Sequence, residues 1–448
     1  MKIPAKPPNI LTLISDRKLS SERLLELLTT CGATDAKGRY LHWDKVRYLK
    51  SGGLTAEEVW VGTKLARRAL FRELPLRDGR QEPFRFALVD PVLRMLYEIE
   101  QQAKGVKGFA YQPISVARTR EGYLVHALME EAISSSQLEG ASTTRKVAQE
   151  MLRQGRQPRD RSEQMILNNY HAMQFVQQNK QEVLTPAMIF ELHRLVTEKT
   201  LDDPHVAGRL RSQEERVQVI SKRSQEVLHT PPNADELPER LRLLCQFANH
   251  SETEIFIHPI IRAILLHFML AYDHPFVDGN GRTARALFYW SMAKQGYWLT
   301  EFLSISRVIK NAPIQYGRAF LYTETDENDT TYFIIHQLEV LKKAITHLYD
   351  YLEQNAQELE AAEQLLDRTA FAGQLNHRQL ALLKHALKTA NAVYTIKEHQ
   401  RSHGVSYQTA RTDLLQMADE MGLLRKRKSG RSFVFVSPSD LRERVGRR

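Results

Sequence analysis

The twelve residues from His274 to Arg285, HPFVDGNGRTAR, bring together side chains that phosphate chemistry uses. His274 is an imidazole that exchanges a proton near neutral pH, with an unperturbed pKa of about 6.5. Asp278 offers a hard carboxylate oxygen of the kind Mg²⁺ takes beside phosphates. Gly279 and Gly281 have no Cβ, so their backbone N–H groups can turn inward around an anion. The apolar-periodic run Thr283–Met292 predicts a helix, which puts the glycine turn at a helix N-terminus, an anion-binding position. Arg282 and Arg285 lie three apart on one face of its first turn and carry forked donors for phosphate oxygens. Taken singly, each feature also serves plain structure: Gly-Asn-Gly turns precede many helices, and arginine pairs often line a solvated face.

Several predicted elements must position this stretch. A long apolar helix, begun at His258-Pro-Ile-Ile-Arg262, delivers His274. Its most apolar part, Ile260–Tyr272, is broken by Arg262 and His267 and is too short to span a bilayer. His258 and Arg262 are read as helix start and packing. Further upstream, Glu121–Gly140 predicts a helix with Leu124, Leu128, Ala132 and Ile133 on one stripe. It ends in Ser134-Ser-Ser-Gln-Leu-Glu-Gly140, where Ser135 and Glu139 share a face and Gly140 fits a helix stop. Ser162–Gln178 and Thr185–Thr200 predict core helices, the second capped by Thr185 with Pro186 at its first position. Val217-Gln-Val-Ile220 alternates and predicts a short hairpin strand carrying Val217, Val219 and Ile220. Leu237–Asn249 resumes helix. Thr331–Leu352 predicts another, and Glu353–Asp367 either continues it or connects to the next domain.

The two ends differ in character. Residues 1–120 predict a mainly helical region, with Thr55-Ala-Glu-Glu58 at capping-box spacing. Tyr40, Trp43 and Tyr48 read as core aromatics. From residue 372 onward the spacing predicts three helices, Gln379–Leu387, Thr395–His403 and Ser406–Met421. A hairpin over Leu423–Val436 follows, turning at Lys428-Ser-Gly-Arg431. Three helices and a β-wing look like a winged helix-turn-helix, with Ser406 capping the recognition helix. Tyr407, Gln408, Thr409 and Arg411 stand where base or phosphate contacts are made. Arg425, Lys426, Arg427, Lys428 and Arg431, with Arg442, Arg444, Arg447 and Arg448, form a footprint for a polyanion. Such modules also dock proteins or form dimers, so duplex DNA and a protein surface both stand as partners.

The 448 residues suffice for two or three domains with a sizeable core. A net charge of +10 favours anionic partners without choosing among nucleotide, nucleic acid and acidic protein. Cys31 and Cys245 form no metal or disulfide pattern, which suits a reducing cytosol. No apolar leader with a cleavage site opens the chain. A cytoplasmic protein with no membrane span is expected. Oligomeric state is open, a homodimer included.

The His274–Arg285 stretch resembles the signature of the Fic family, His-x-Phe-x-Asp/Glu-Gly-Asn-Gly-Arg-x-x-Arg, with every fixed position filled. Ser135 to Gly140 resembles that family's inhibitory motif, Ser/Thr-x-x-x-Glu-Gly/Asn, and Trp43-Asp44 is similar to a pair in its N-terminal domains. The resemblance implies a mainly α fold. It comprises a Fic-type helical core over residues 121–355 with a β-hairpin flap, an N-terminal helical region and a C-terminal winged helix domain over 372–448. It implies AMP transfer from ATP to a Ser, Thr or Tyr hydroxyl of a target protein or of the chain itself. In that scheme His274 takes the hydroxyl proton and Asp278 holds Mg²⁺. Gly279, Asn280 and Gly281 cradle phosphate oxygens, and Arg282 steadies the leaving pyrophosphate. Arg285 holds the γ-phosphate until Glu139 pairs with it. The flap residues Val217, Val219 and Ile220 take a target segment by strand addition, and Tyr316 lines the adenine pocket. Glycine at 281, where a phosphorylating relative has lysine, favours nucleotidyl transfer. The same site run backwards, removing AMP with Glu139 positioning water, and a DNA-binding regulator with the core as sensor are the alternatives.

Overall fold

A computed structural model describes residues 2–49, 53–103, 117–221, 224–249, 256–367, 373–388, 392–429 and 432–446. The N-terminal region opens with α1 (Ile10–Asp16), α2 (Ser21–Thr30), α3 (Trp43–Val46) and α4 (Ala56–Arg68). The Thr55–Glu58 capping box forms at the head of α4. Ile10, Leu27, Val46, Trp60 and Val61 make a small core of their own. The region is mainly helical, as expected, with one hairpin added. Strands β1 (Phe71–Arg77) and β2 (Pro83–Ala87) form an antiparallel hairpin whose alternate side chains Leu74, Leu76, Phe84 and Phe86 are buried. Two buried cations of α4 fasten this region to the rest. Lys64 Nζ lies 2.7 Å from Asp326, and the Arg67 guanidinium stacks 3.6 Å over Tyr40 while bonding the Tyr332 hydroxyl at 2.7 Å.

The helical core follows: α5 (Asp90–Ala103), α6 (Ala117–Leu138), α7 (Arg145–Gln154), α8 (Arg161–Gln178) and α9 (Pro186–Thr197). Then come the two-stranded flap β3 (Val219–Ile220) and β4 (Val227–His229), α10 (Leu237–Ala248), α11 (Pro259–Asp273), α12 (Asn280–Lys294), α13 (Ile305–Asn311), α14 (Pro313–Thr325) and α15 (Thr331–Asp367). Helix α11 is apolar nearly all round and almost wholly buried, as a central helix must be. Helix α12 packs along it, and α6, α8 and α9 close the site side. Helix α15 runs unbroken to Asp367, so Glu353–Asp367 continues the helix past the boundary expected at 355.

The C-terminal unit contains α16 (His377–Lys388), β5 (Val393–Thr395), α17 (Ile396–His403), α18 (Tyr407–Leu415), β6 (Arg425–Ser429), β7 (Ser432–Val436) and α19 (Leu441–Gly446). Its strands pair antiparallel in the order β5-β7-β6 around a separate core that includes Leu383, Leu414, Met417 and Phe435. Ser406 caps α18, but that helix stops at Leu415 and a single π-type turn carries the chain through 416–420. Tyr407, Gln408 and Arg411 are exposed, Thr409 half-buried. Of the cations on the β6–β7 hairpin, Lys426 pairs with Asp419 at 2.5 Å and Arg425 lies 3.6 Å from Asp440. Arg427 and Lys428 are exposed. Arg431, Arg447 and Arg448 lie outside the described residues, as does the side chain of Arg442. Helix α17 rests on α6 and α7, and the lack of a Cβ at Gly155 lets the Arg401 guanidinium cover the end of α7.

Candidate functional site

The site is the turn between the end of α11 and the start of α12. His274 ends α11 in the left-handed conformation, φ 45° and ψ 55°. Its Nδ1 lies 2.9 Å from Ala271 O. A carbonyl only accepts, so Nδ1 carries the proton and donates, which leaves Nε2 with a free lone pair. Burial lowers the His274 pKa, with the charges of His229 and Arg211 acting in the same direction and the Ala271 carbonyl and Glu139 opposing. The imidazole is therefore neutral at pH 7, as a general base must be.

The following loop is held from below. Phe276 is fully buried and its ring stacks on His193 of α9, centroids 3.8 Å apart. His193 Nδ1 accepts from Gly208 N and Nε2 donates to Asp278 O, both at 2.9 Å. Burial pushes this imidazole down to about 4, so it stays neutral and keeps one donor and one acceptor. Gly279 adopts φ 82°, and a Cβ there would meet Thr197 Cγ2 at 2.8 Å, so both space and backbone require glycine. The buried amide of Asn280 accepts from Phe276 N at 2.9 Å and donates to Phe276 O at 2.8 Å, which ties the loop shut. The helix also begins earlier than expected, at Asn280, with Gly279 at its cap.

Two buried guanidiniums follow. Arg282 donates from Nη1 to Val196 O at 2.6 Å and lies 3.6 Å from the Asp278 carboxylate, while its Nε has no partner. A buried donor without an acceptor is costly, and a phosphate oxygen would satisfy it. Arg285 is filled from the other side. Its Nε donates to Ser135 Oγ at 3.0 Å, and Nη2 donates to Ser135 O at 3.2 Å and to Glu139 Oε1 at 2.8 Å. Glu139 follows α6 and its side chain is 32% exposed. Burial works against its charge, but Arg285, with Arg282 and His274 behind it, outweighs this and holds the carboxyl below its ordinary range. Gly281 faces the same carboxylate. A Cβ there would overlap Glu139 Oε1 and lie 3.0 Å from Cδ. Glu139 thus sits directly over the helix N-terminus, where an anion would bind.

Asp278 is half-exposed, accepts from Gly279 N at 2.6 Å and keeps room on its outer face. Among the described residues no cluster of three His, Cys, Asp or Glu side chains is disposed to hold a metal. One outward carboxylate beside a phosphate cradle fits Mg²⁺, which keeps its waters and bridges to substrate phosphates.

Other expected residues sit further out. The hydroxyl of Tyr316 bonds His267 Nε2 at 2.9 Å, and the ring packs edge-on against Phe320 and beside Arg285. In the flap Val219 and Ile220 pair with β4, but Val217 lies outside the ladder. Glu215 closes a turn just before it, bonding Ser212 N at 2.7 Å and Arg209. Ile220 and Val227 are exposed. His258 caps α11 and Arg262 bonds Phe247 O, both structural as read. His193 and Glu131 escaped the sequence reading. Glu131 on α6 is buried and accepts from Tyr289 (2.9 Å), Ser304 (2.8 Å), Ser306 N (3.1 Å) and the Ser306 hydroxyl.

Residues 183–292 match the Fic/DOC family, so the chain contains a Fic domain. It is similar to a protein adenylyltransferase Fic of Nematostella vectensis, 31% identical over 181 residues, which are 40% of this chain and 39% of the relative. It is also similar to protein adenylyltransferase fic-1 of Caenorhabditis elegans, 30% identical over 182 residues, 40% of this chain and 33% of the relative. The matched part thus spans well under half of either relative. A Fic family protein crystal structure from Desulfovibrio desulfuricans G20 shares the fold with a TM-score of 0.50 at 19% identity, covering 78% of this chain and 97% of that one. Among the described residues no helix is long and apolar enough to cross a membrane.

Proposed function

We propose that the chain is a protein adenylyltransferase held off by its own Glu139. The observation that carries this reading is the bare His274 Nε2 beside a helix N-terminus whose two arginines are buried, one with an orphaned Nε and one engaged by Glu139. His274 Nε2 takes the proton from a Ser, Thr or Tyr hydroxyl of a target protein, or of the chain itself, as that oxygen attacks the α-phosphorus of ATP. The bond from the α-phosphorus to the bridging oxygen breaks, pyrophosphate leaves, and AMP stays on the target. Arg282 and the N–H groups at Gly279 and Gly281 neutralise phosphate charge. Asp278 would hold Mg²⁺, which supplies charge neutralisation across the phosphates when bound. Glu139 occupies Arg285, so a γ-phosphate cannot reach it. Two free cysteines and the use of ATP suit a cytoplasmic setting. The test is labelled ATP with the full chain and a cell lysate. His274→Ala is expected to lose transfer while still binding nucleotide, and retained self-labelling in that variant refutes the role.

A second reading is favoured by the partial exposure of the Glu139 carboxylate, which could orient a water for AMP removal. We further propose that the C-terminal unit is a winged helix-turn-helix that binds duplex DNA through Tyr407, Gln408, Arg411 and the basic wing. Its affinity should fall steeply with salt as counterions are displaced. Duplex binding by the full chain that is absent at low salt, or flat with salt, makes the unit a protein-docking element instead.

A further inference from the structure

The base of the flap is fastened by two cations, and both reach the carbonyl oxygens on which α11 ends. Arg211 lies ahead of β3 and is buried. Its Nε donates to His274 O at 2.9 Å, its Nη2 to Pro232 O at 2.5 Å, and its backbone N–H to Pro275 O at 2.9 Å. His229 closes β4. Its Nε2 lies 2.7 Å from Tyr272 O and its Nδ1 2.7 Å from a carboxylate oxygen of Glu324 on α14. An acceptor stands at each ring nitrogen, and only the imidazolium form donates to both, so the geometry favours the cation. Cations are favoured at a helix C-terminus, where carbonyls lack partners.

What these two clamp is a strained residue. His274 carries a side chain in the left-handed region, an unfavourable conformation that persists only when the surroundings impose it. Its ring is tied to Ala271 O, its carbonyl to Arg211, and the carbonyl two residues earlier to His229. We propose that Arg211 and His229 are positioning residues: through the two legs of the flap they fix the backbone of His274 and so the direction of its Nε2. Neither touches the reacting atoms. The inference rests on the reading of His274 as the base. It also makes the flap more than a docking edge, because the hairpin that would receive a target strand is hydrogen-bonded through His229 to Tyr272, two residues before the residue that would take the target's proton, and the segment ahead of β3 holds that residue's own carbonyl through Arg211.

The electrostatics point the same way. Burial works against the His229 charge, yet the Glu324 hydrogen bond and charge, the Tyr272 carbonyl and Asp273 outweigh it and raise its pKa. Asp273 is itself paired with Arg240 of α10 at 2.6 Å. After burial, His229 and Arg211 both lower the proton affinity of His274, against Ala271 O and Glu139. Losing either cation should therefore raise the His274 pKa and move the acid limb of the rate upward in pH.

The test uses the full chain in a Glu139→Gly background, with self-labelling by labelled ATP as the readout. Arg211→Met is expected to lower the maximal rate about ten- to a hundredfold. The ATP concentration for half-maximal rate should change less than about twofold, since no phosphate contact is altered. Its acid limb should move up in pH, and Arg211→Lys should restore part of the rate. His229→Gln, which can donate to only one of the two acceptors, should shift the limb the same way. Unchanged rate and unchanged acid limb in both Arg211→Met and His229→Gln overturn the proposal, as does a loss of ATP binding equal to the loss of rate. If Arg211→Met does not fold, Arg211→Lys and His229→Gln carry the same comparison. If the Glu139→Gly parent labels nothing, the transferase reading fails, and the clamp is then judged by amide hydrogen exchange over residues 272–280. Exchange at least tenfold faster in the variants supports the clamp, and unchanged exchange overturns it.

Discussion

Two carboxylates eight residues apart, Glu131 on α6 and Glu139 just past its end, are treated in opposite ways. Glu131 is 1% exposed and meets only neutral donors: two serine hydroxyls, a tyrosine hydroxyl and a backbone N–H. Glu139 is a third exposed and meets one guanidinium. The first arrangement is an anchor, because a buried carboxylate that satisfies four donors cannot leave without stranding them. The second is a latch, because a carboxylate near solvent can be rehydrated at little cost once Arg285 finds another anion. The segment is therefore pinned at its middle and releasable at its end, which is the arrangement that the proposed inhibition by Glu139 requires.

The comparison can be broken at either carboxylate. The largest effect on stability is expected at the anchor: Glu131→Ala should cost about 3 kcal/mol or more in chemical denaturation, since several buried donors lose their acceptor together. A cost below about 1 kcal/mol there would mean that Glu131 does not hold the segment. At the latch the effect should be small and pH-dependent. The Glu139 carboxyl titrates lower in the folded chain than its ordinary value of 4.5. Its contribution is thus fully present above that value and is lost as pH falls through the depressed folded one. The stability gap between wild type and Glu139→Gln should be flat between about pH 7 and 5 and should close only in more acid solution. A gap that closes around neutrality would assign it to another group.

How much of this could be read from the chain depended on how local each feature is. His274 to Arg285 is one turn and one helix start, so residue types and spacing alone placed the imidazole, the carboxylate, the glycines and the arginines together. Ser135 and Glu139 were legible because helical spacing puts them on one face. The bonds of the Asn280 amide to Phe276 are not legible in the chain, because an amide can serve phosphate or backbone equally well. Glu131, His193 and Arg211 act across the fold on partners far along the chain, and no local pattern marks such residues. The β1–β2 hairpin is hard to see in the chain although Asp78-Gly79 is a turn signal, because Pro75 interrupts the strand pattern.

The central claim is that Glu139 restrains a competent transfer site. The direct measurement is the rate of labelling by ATP, on the chain itself and in lysate, for wild type, Glu139→Gly, and Glu139→Gly with Arg285→Ala. Freeing Arg285 lets the γ-phosphate seat and brings the α-phosphorus into line, and a misplacement of about 1 Å costs about a hundredfold. Labelling should therefore rise about a hundredfold in Glu139→Gly and fall again when Arg285 is removed as well. Equal labelling by wild type and Glu139→Gly would contradict restraint, and loss of labelling in Glu139→Gly would show instead that this carboxylate works in the reaction.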